Sequence, residues 1–275
     1  MSAGCASSAV RARAALALLG IVAGIAGGCA TPVAIERERL DGALPVGLDD
    51  SRIVALAAAL EHTAADRSSL VGAAHLSLTA PDLRFSRPQR VAVQEPAQMR
   101  MEILGLFNQV AAILTTDGAR FQLYEPGAEI QEGPVSAALL WRVARVDLEP
   151  AEAVSVLLGV PWQRESRLEA ARELPDGTLL LAYRHPHSGG RRIFEFAPPA
   201  YLTRVRERAA DDSLVWQTSY DDYRPVGTHG ERAFAHSVSI EFPRVEANAE
   251  FRFDTAELNR ALPASAFDLA RSRRP

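Results

Sequence analysis

From about residue 70 onward this chain alternates apolar and polar side chains with a period of two. Neighbouring side chains of a strand point to opposite faces, so the pattern dictates half-buried β-strands rather than helices. Leu76-Ser77-Leu78, Val91-Ala92-Val93, Met99-Arg100-Met101-Glu102-Ile103 and Phe121-Gln122-Leu123-Tyr124 all follow it. So do Ile193 to Phe196, Leu202 to Arg206, Leu214 to Tyr220, Val238 to Phe242 and Phe251-Arg252-Phe253. With strands at about 109–116 and 178–184 the count reaches eleven. Asp117-Gly118, Pro175-Asp176-Gly177 and Ser188-Gly189-Gly190 supply hairpin turns between them.

Two segments carry a helical pattern instead. Asp49-Asp50-Ser51 can cap a run in which Ile53, Leu56, Ala57 and Leu60 recur at helical spacing, which predicts a helix over 51–65. Residues 134–158 form a second helical stretch, with Ser136 available to cap Ala137 to Trp141 and Pro150 placed to start Ala151 to Leu158. Gly159 and Pro161 stop it. Five strands, a helical insert and six strands follow in that order. A sheet with one apolar face needs cover on that face alone. The predicted fold is therefore mainly β (α+β): a curved antiparallel sheet with helices against its concave side.

The N-terminal segment bears on the compartment. Arg11 and Arg13 precede an apolar run from Ala14 to Ala26, with no acidic residue before Glu36. This is the layout of a secretory signal, too short and too glycine-flanked to span a bilayer. The run ends Ile25-Ala26-Gly27-Gly28-Cys29, which resembles the lipobox of bacterial lipoproteins, although Ala26 stands where leucine is preferred. An ordinary signal peptide with an incidental cysteine is the alternative. Cys5, the other cysteine, lies within the segment to be removed, so Cys29 would remain without a disulfide partner. Lipidation accounts for it, with a diacylglycerol and an N-acyl chain on Cys29 and no other cofactor. The expected organisation is a signal peptide over 1–28, a lipidated cysteine and flexible tether over 29–49, one domain over 50–270, and a tail over 271–275. The net charge of −4 becomes −6 once Arg11 and Arg13 leave. All 30 basic residues are arginine, and no basic stripe stands out, so a nucleic-acid partner is not expected.

The order of several motifs carries a family resemblance. Met99 to Gln109 is followed by Ala112-Ile113-Leu114, Thr116-Asp117-Gly118, Phe121 to Tyr124, Gly133, Leu139-Leu140 and Leu157-Leu158-Gly159-Val160-Pro161. Tyr220 to Arg224, Ser237 to Pro243, Phe251, Phe253, Leu258-Asn259, Leu262 and Phe267 complete it. Over roughly residues 50–270 the chain resembles LolB-type outer-membrane lipoprotein receptors of the LolA/LolB superfamily. The resemblance implies an incomplete eleven-stranded half-barrel with helices plugging a hydrophobic cavity. It implies a receptor that takes lipoproteins, by their acyl chains, from a LolA-like periplasmic carrier and inserts them into the outer membrane. Ala30, rather than Asp, after Cys29 agrees with the outer membrane.

Candidate site residues follow. Leu106 and Phe107 lie between two strands, where a turn is ordinarily polar, and align with the exposed leucine of the family's membrane-insertion loop; either residue could lead, or both could fold into the core. The apolar faces led by Met101, Ile103, Phe121, Leu123, Phe251 and Phe253 are expected to line the acyl cavity. His185-Pro186-His187 has no third ligand at a recognisable spacing, so it reads as a turn rather than a metal site. Asp211-Asp212 and Asp221-Asp222 read as turn residues, and no catalytic constellation is visible. A lipid-anchored binding or scaffold protein of the same fold, without transfer activity, is the second reading, and an enzyme ranks last.

Overall fold

The computed structural model describes residues 42–162, 165–227 and 232–269. Strand β1 (Leu44–Val46) precedes helix α1 (Ser51–Asp66). Strands β2 (Ser69–Ala80), β3 (Leu83–Gln94), β4 (Gln98–Leu104), β5 (Val110–Thr116), β6 (Arg120–Tyr124) and β7 (Gln131–Pro134) follow. Helices α2 (Leu139–Ala144) and α3 (Pro150–Leu157) come next. The chain then runs through β8 (Arg167–Glu173), β9 (Leu179–Arg184), β10 (Arg191–Ala197), β11 (Tyr201–Arg208), β12 (Leu214–Val226), β13 (Arg232–Phe242) and β14 (Ala247–Leu258).

All fourteen strands belong to one antiparallel sheet in the order β1-β8-β9-β10-β11-β12-β13-β14-β2-β3-β4-β5-β6-β7. It is open, with β1 and β7 as its edges. The pairing of β14 with β2, Phe251 opposite Leu76, joins the two groups of strands that the helical insert separates in sequence.

Every strand expected from periodicity is present, but the described residues form fourteen rather than eleven. The three missed strands share a cause. None presents a run of alternating apolar and polar side chains long enough to identify a half-buried strand. β7 reads Gln-Glu-Gly-Pro and is held at the edge by its backbone pairing to β6. β8 is interrupted by an irregularity between Leu168 and Ala170. β1 is three residues long and contains Pro45. Its pairing with β8 also places Leu44–Val46, which fall in the expected tether, within the sheet.

Helix α1 forms as its pattern demands. Asp50 accepts a hydrogen bond from the Arg52 backbone N–H at 2.8 Å, and Ile53, Leu56 and Leu60 are buried along one stripe. Pro150 opens α3, and Gly159 at φ +79° follows its end. Ser136 does not cap α2 with its hydroxyl: the helix begins at Leu139, whose N–H is held by the Ser136 carbonyl at 2.9 Å. Side chains from α1, α3 and the inner faces of the sheet merge into one core, with Leu70, Val154, Phe194, Val205 and Phe234 fully enclosed. Helix α3 lies on β3 and β4, and the buried Tyr220 hydroxyl of β12 donates to the Val156 carbonyl at 3.1 Å.

Candidate functional site

The strand registers define two rims. Ser69 opposes Gln94, and Gln94 opposes Gln98, so the β4–β5 turn at 105–109 lies on the rim away from Ser69. The end of α1, the β10–β11 turn, the end of β12 and the start of β13 share the Ser69 rim. Each rim carries one unusual feature.

At the first, Leu106, Phe107 and Asn108 form a tight turn, with the Asn108 N–H donating to the Gly105 carbonyl at 3.3 Å and the Gly105 N–H to the Gln109 carbonyl at 2.8 Å. Leu106 is 77% exposed and Phe107 98% exposed, so neither folds into the core. Phe107 holds φ +64° and Asn108 φ +60°. Asparagine tolerates the left-handed region; a bulky aromatic rarely occupies it.

At the second rim lies a cavity of about 520 Å³ between α1 and the ends of β10–β13. Leu56, Leu60, Val160, Phe196 and Leu202 give it an apolar wall, and Tyr201 and Tyr223 stand in it with ring centroids 4.8 Å apart. Arg67 also lines it, although it is only 8% exposed. Its Nη1 donates to the Leu158 carbonyl at 2.8 Å and its Nη2 to the Ala233 carbonyl at 2.7 Å. Its guanidinium lies 5.7 Å from the Phe234 ring centroid. Gly159 makes room for it: a Cβ there would stand 2.6 Å from Nη1. Burial pulls Arg67 below the usual arginine range, because the charged form loses water. Among the described residues no carboxylate pairs with it. The adjacent Asp66 is held by Arg232 at 2.7 and 3.1 Å.

The six residues expected to line an acyl cavity do not border this one. Met101, Phe121 and Leu123 are half-buried against the core, and Ile103 is half-buried on β4. Phe251 and Phe253 are buried, with Phe253 set edge-on to Phe234 at 5.6 Å. Periodicity identified inward faces correctly; the position of the gap depends on which strand ends α1 leaves uncovered, and alternation carries no such information. Arg67 escaped the sequence reading because a basic residue just past a helix end ordinarily faces water. Cys29 lies outside the described residues.

His185 sits in the β9–β10 turn, as Ser188-Gly189-Gly190 implied, and it is buried. Its ring bridges the Ser166 hydroxyl and the Glu207 carboxylate, each at 3.1 Å. Glu207 also receives Arg192 Nε at 2.8 Å, while Arg192 donates to the Pro161 carbonyl at 2.7 Å and to Glu152 at 2.5 Å. Arg192 is 2% exposed and stacks over Trp216 at 4.9 Å. Burial pushes Glu152 up against the attraction of Arg192. For Glu207 burial is outweighed by His185 and Arg192, which hold it below the usual range. The network ties α3 to β9, β10 and β11. Among the described residues, no group of three or more His, Cys, Asp or Glu is placed to hold a metal. Asp211 and Asp212 do form a turn, whereas Asp221 and Asp222 lie within β12, Asp222 at φ +55°. The sequence reading missed that position because paired aspartates are commonest in turns.

No protein-family model matches the chain, and no curated protein does. Solved structures do. A LolA superfamily protein from Nitrosomonas europaea aligns with TM-score 0.54 and 14% identity over 78% of this chain and 98% of that one. A domain described as an outer membrane lipoprotein-sorting protein from Vibrio parahaemolyticus aligns with TM-score 0.52 and 10% identity, covering 78% and 95%. A DUF1329 family protein from Desulfovibrio piger gives TM-score 0.54 and 12% identity, covering 78% and 95%. The chain has the LolA-type fold: a mainly β protein built on one open antiparallel sheet. The narrower LolB resemblance rests on the sequence motifs.

Proposed function

We propose that the protein is an outer-membrane lipoprotein, anchored through acyl chains on Cys29 and facing the periplasm, that binds acyl chains of other lipoproteins and helps insert them into the membrane. The observation that carries this reading is the tip of the β4–β5 turn. Full burial of a large apolar side chain is typically worth about 1.5–3 kcal/mol, and Leu106 and Phe107 forgo it side by side. Adjacent exposed apolar side chains at a tip are best explained by a surface they meet. The acyl boundary of a bilayer is such a surface. An acyl chain carries about 0.8 kcal/mol per buried methylene, so it needs apolar cover between membranes, and the open cavity on the opposite rim offers an apolar wall. A protein resting on the membrane by its tip would present that rim toward the periplasm, where a LolA-like carrier could reach it. The LolA-type fold supports this reading, as does the lipobox-like run ahead of Cys29.

The test is delivery. Protein carrying a fluorescent acyl ligand is mixed with liposomes of outer-membrane-like phospholipid, and transfer is followed for wild type and for the Leu106→Glu, Phe107→Glu double variant. Transfer should fall sharply in the variant while ligand binding is retained. Undiminished transfer would remove the insertion role and leave an anchored binding protein.

A further inference from the structure

We propose that the cavity beside α1 takes a single-chain amphiphile with an acidic headgroup, and that Arg67 recognises that headgroup. The inference rests on the acyl-binding reading above and goes beyond it, because the acylated cysteine of a lipoprotein carries no acidic head and the ligand inferred here is a free amphiphile that does.

Three observations meet at Arg67. It lines a cavity of about 520 Å³, a size within the roughly 300–1,000 Å³ typical of small-molecule sites. It is only 8% exposed, yet its partners are the neutral carbonyls of Leu158 and Ala233. The adjoining acid in the chain, Asp66, is clamped by Arg232 and supplies it with no ion pair. A buried cation is costly unless an anion compensates it, and within the described residues no carboxylate forms an ion pair with Arg67, Asp66 attracting it only from its place on Arg232. An anion arriving in the cavity would complete the arrangement. It would be met by a guanidinium already fixed in place by two hydrogen bonds, so little side-chain freedom remains to be lost on binding.

The rest of the wall sets the remaining chemistry. Leu56, Leu60, Val160, Phe196 and Leu202 offer nothing to a free inorganic anion and much to a hydrocarbon chain. A guanidinium pairs equally with a carboxylate or a phosphate, so the shared feature is an acidic head on an apolar chain. His62 and Arg232 also border the cavity, and among the described residues no acid other than the clamped Asp66 does, so these surroundings favour an anion.

The experiment measures binding of laurate, dodecyl phosphate and dodecanol to the purified protein at a pH where both acids are ionised. The three ligands share one chain and differ in the head. Laurate and dodecyl phosphate should bind at least about tenfold more tightly than dodecanol, as befits a hydrogen bond to a charged group. Their order distinguishes a carboxylate from a phosphate head. The Arg67→Met variant should bind all three about equally, and Arg67→Lys should restore part of the preference. Equal binding by the wild type would overturn the inference and leave the acyl cavity standing, without relying on any variant. Binding of none of the three would overturn both. Displacement of laurate by inorganic phosphate alone would show a free-anion site and overturn the amphiphile.

Discussion

Three arginines are withdrawn from water among the described residues; Arg206 pairs with the buried Glu195, and the other two, Arg192 and Arg67, are provided for differently. Arg192 has two carboxylates, Glu152 and Glu207, a carbonyl, and the face of Trp216. Arg67 has two carbonyls and the Phe234 ring. Arg192 sits where α3 crosses β10 and β11, and every neighbour it needs comes from the chain itself. Arg67 sits in the wall of a cavity. The difference separates a charge that the fold uses for its own cohesion from one whose compensation is incomplete within the described molecule. An uncompensated group placed beside open space points outward, to something the space admits.

The widest separation should appear on replacing each arginine by methionine and measuring chemical denaturation. Arg192→Met leaves two half-buried carboxylates without their cation, Glu207 keeping only His185, a change that costs up to about 3–5 kcal/mol when such a pair is fully buried. Arg67→Met removes a charge that already bears a desolvation cost, which offsets the loss of its hydrogen bonds to the Ala233 carbonyl at the cavity wall and to the buried Leu158 carbonyl. That change should stay within about 1 kcal/mol of wild type, in line with exchanges of buried ionic groups for apolar ones. Similar losses in the two variants would break the contrast, because Arg67 would then be as integral to the fold as Arg192.

A smaller effect is expected at Gly159, which sharpens the comparison by moving Arg67 without removing it. Gly159 holds φ +79°, and a Cβ there would press on Arg67 Nη1 at 2.6 Å. Gly159→Ala should therefore cost about 1–3 kcal/mol for the left-handed backbone and the displaced contact. It should also weaken laurate binding while leaving dodecanol binding unchanged. Equal weakening of both ligands would mean that the cavity changed shape, not that its cation moved.

The sequence made the sheet legible because alternation reports directly on which face of a strand is buried. Met99-Arg100-Met101 and Phe251-Arg252-Phe253 could be placed with no knowledge of their partners. It failed for Gln131–Pro134, where backbone pairing at an edge leaves no trace in side-chain pattern. The same limit applies to the site. Leu106 and Phe107 were visible because two large apolar residues in a turn violate the polarity expected there. Arg67 violates nothing in sequence; its position becomes unusual only when Leu158 and Ala233, 91 and 166 residues away, close over it. The carboxylate network around Arg192 was invisible for the same reason, since Glu152 and Glu207 are 40 and 15 residues from the arginine they share.

Phe107 extends the comparison to the other rim, with the sign of the anomaly reversed: an apolar ring left in water at φ +64° rather than a charge taken out of it. Glycine populates that backbone region at no steric cost, whereas a phenylalanine there bears strain on the order of 1 kcal/mol. Because the ring is 98% exposed, removing it forfeits almost no packing. Glycine also gains conformational freedom in the unfolded chain, which offsets part of the relief. Phe107→Gly should therefore leave the stability unchanged or raise it by up to about 1 kcal/mol. The same variant should lower partitioning of the soluble domain onto liposomes. Such a variant, no less stable but less able to meet a membrane, would show that the aromatic serves contact outside the fold. A clear drop in melting temperature would instead mean that the ring packs against its own molecule in solution, and the tip would lose its claim to the bilayer.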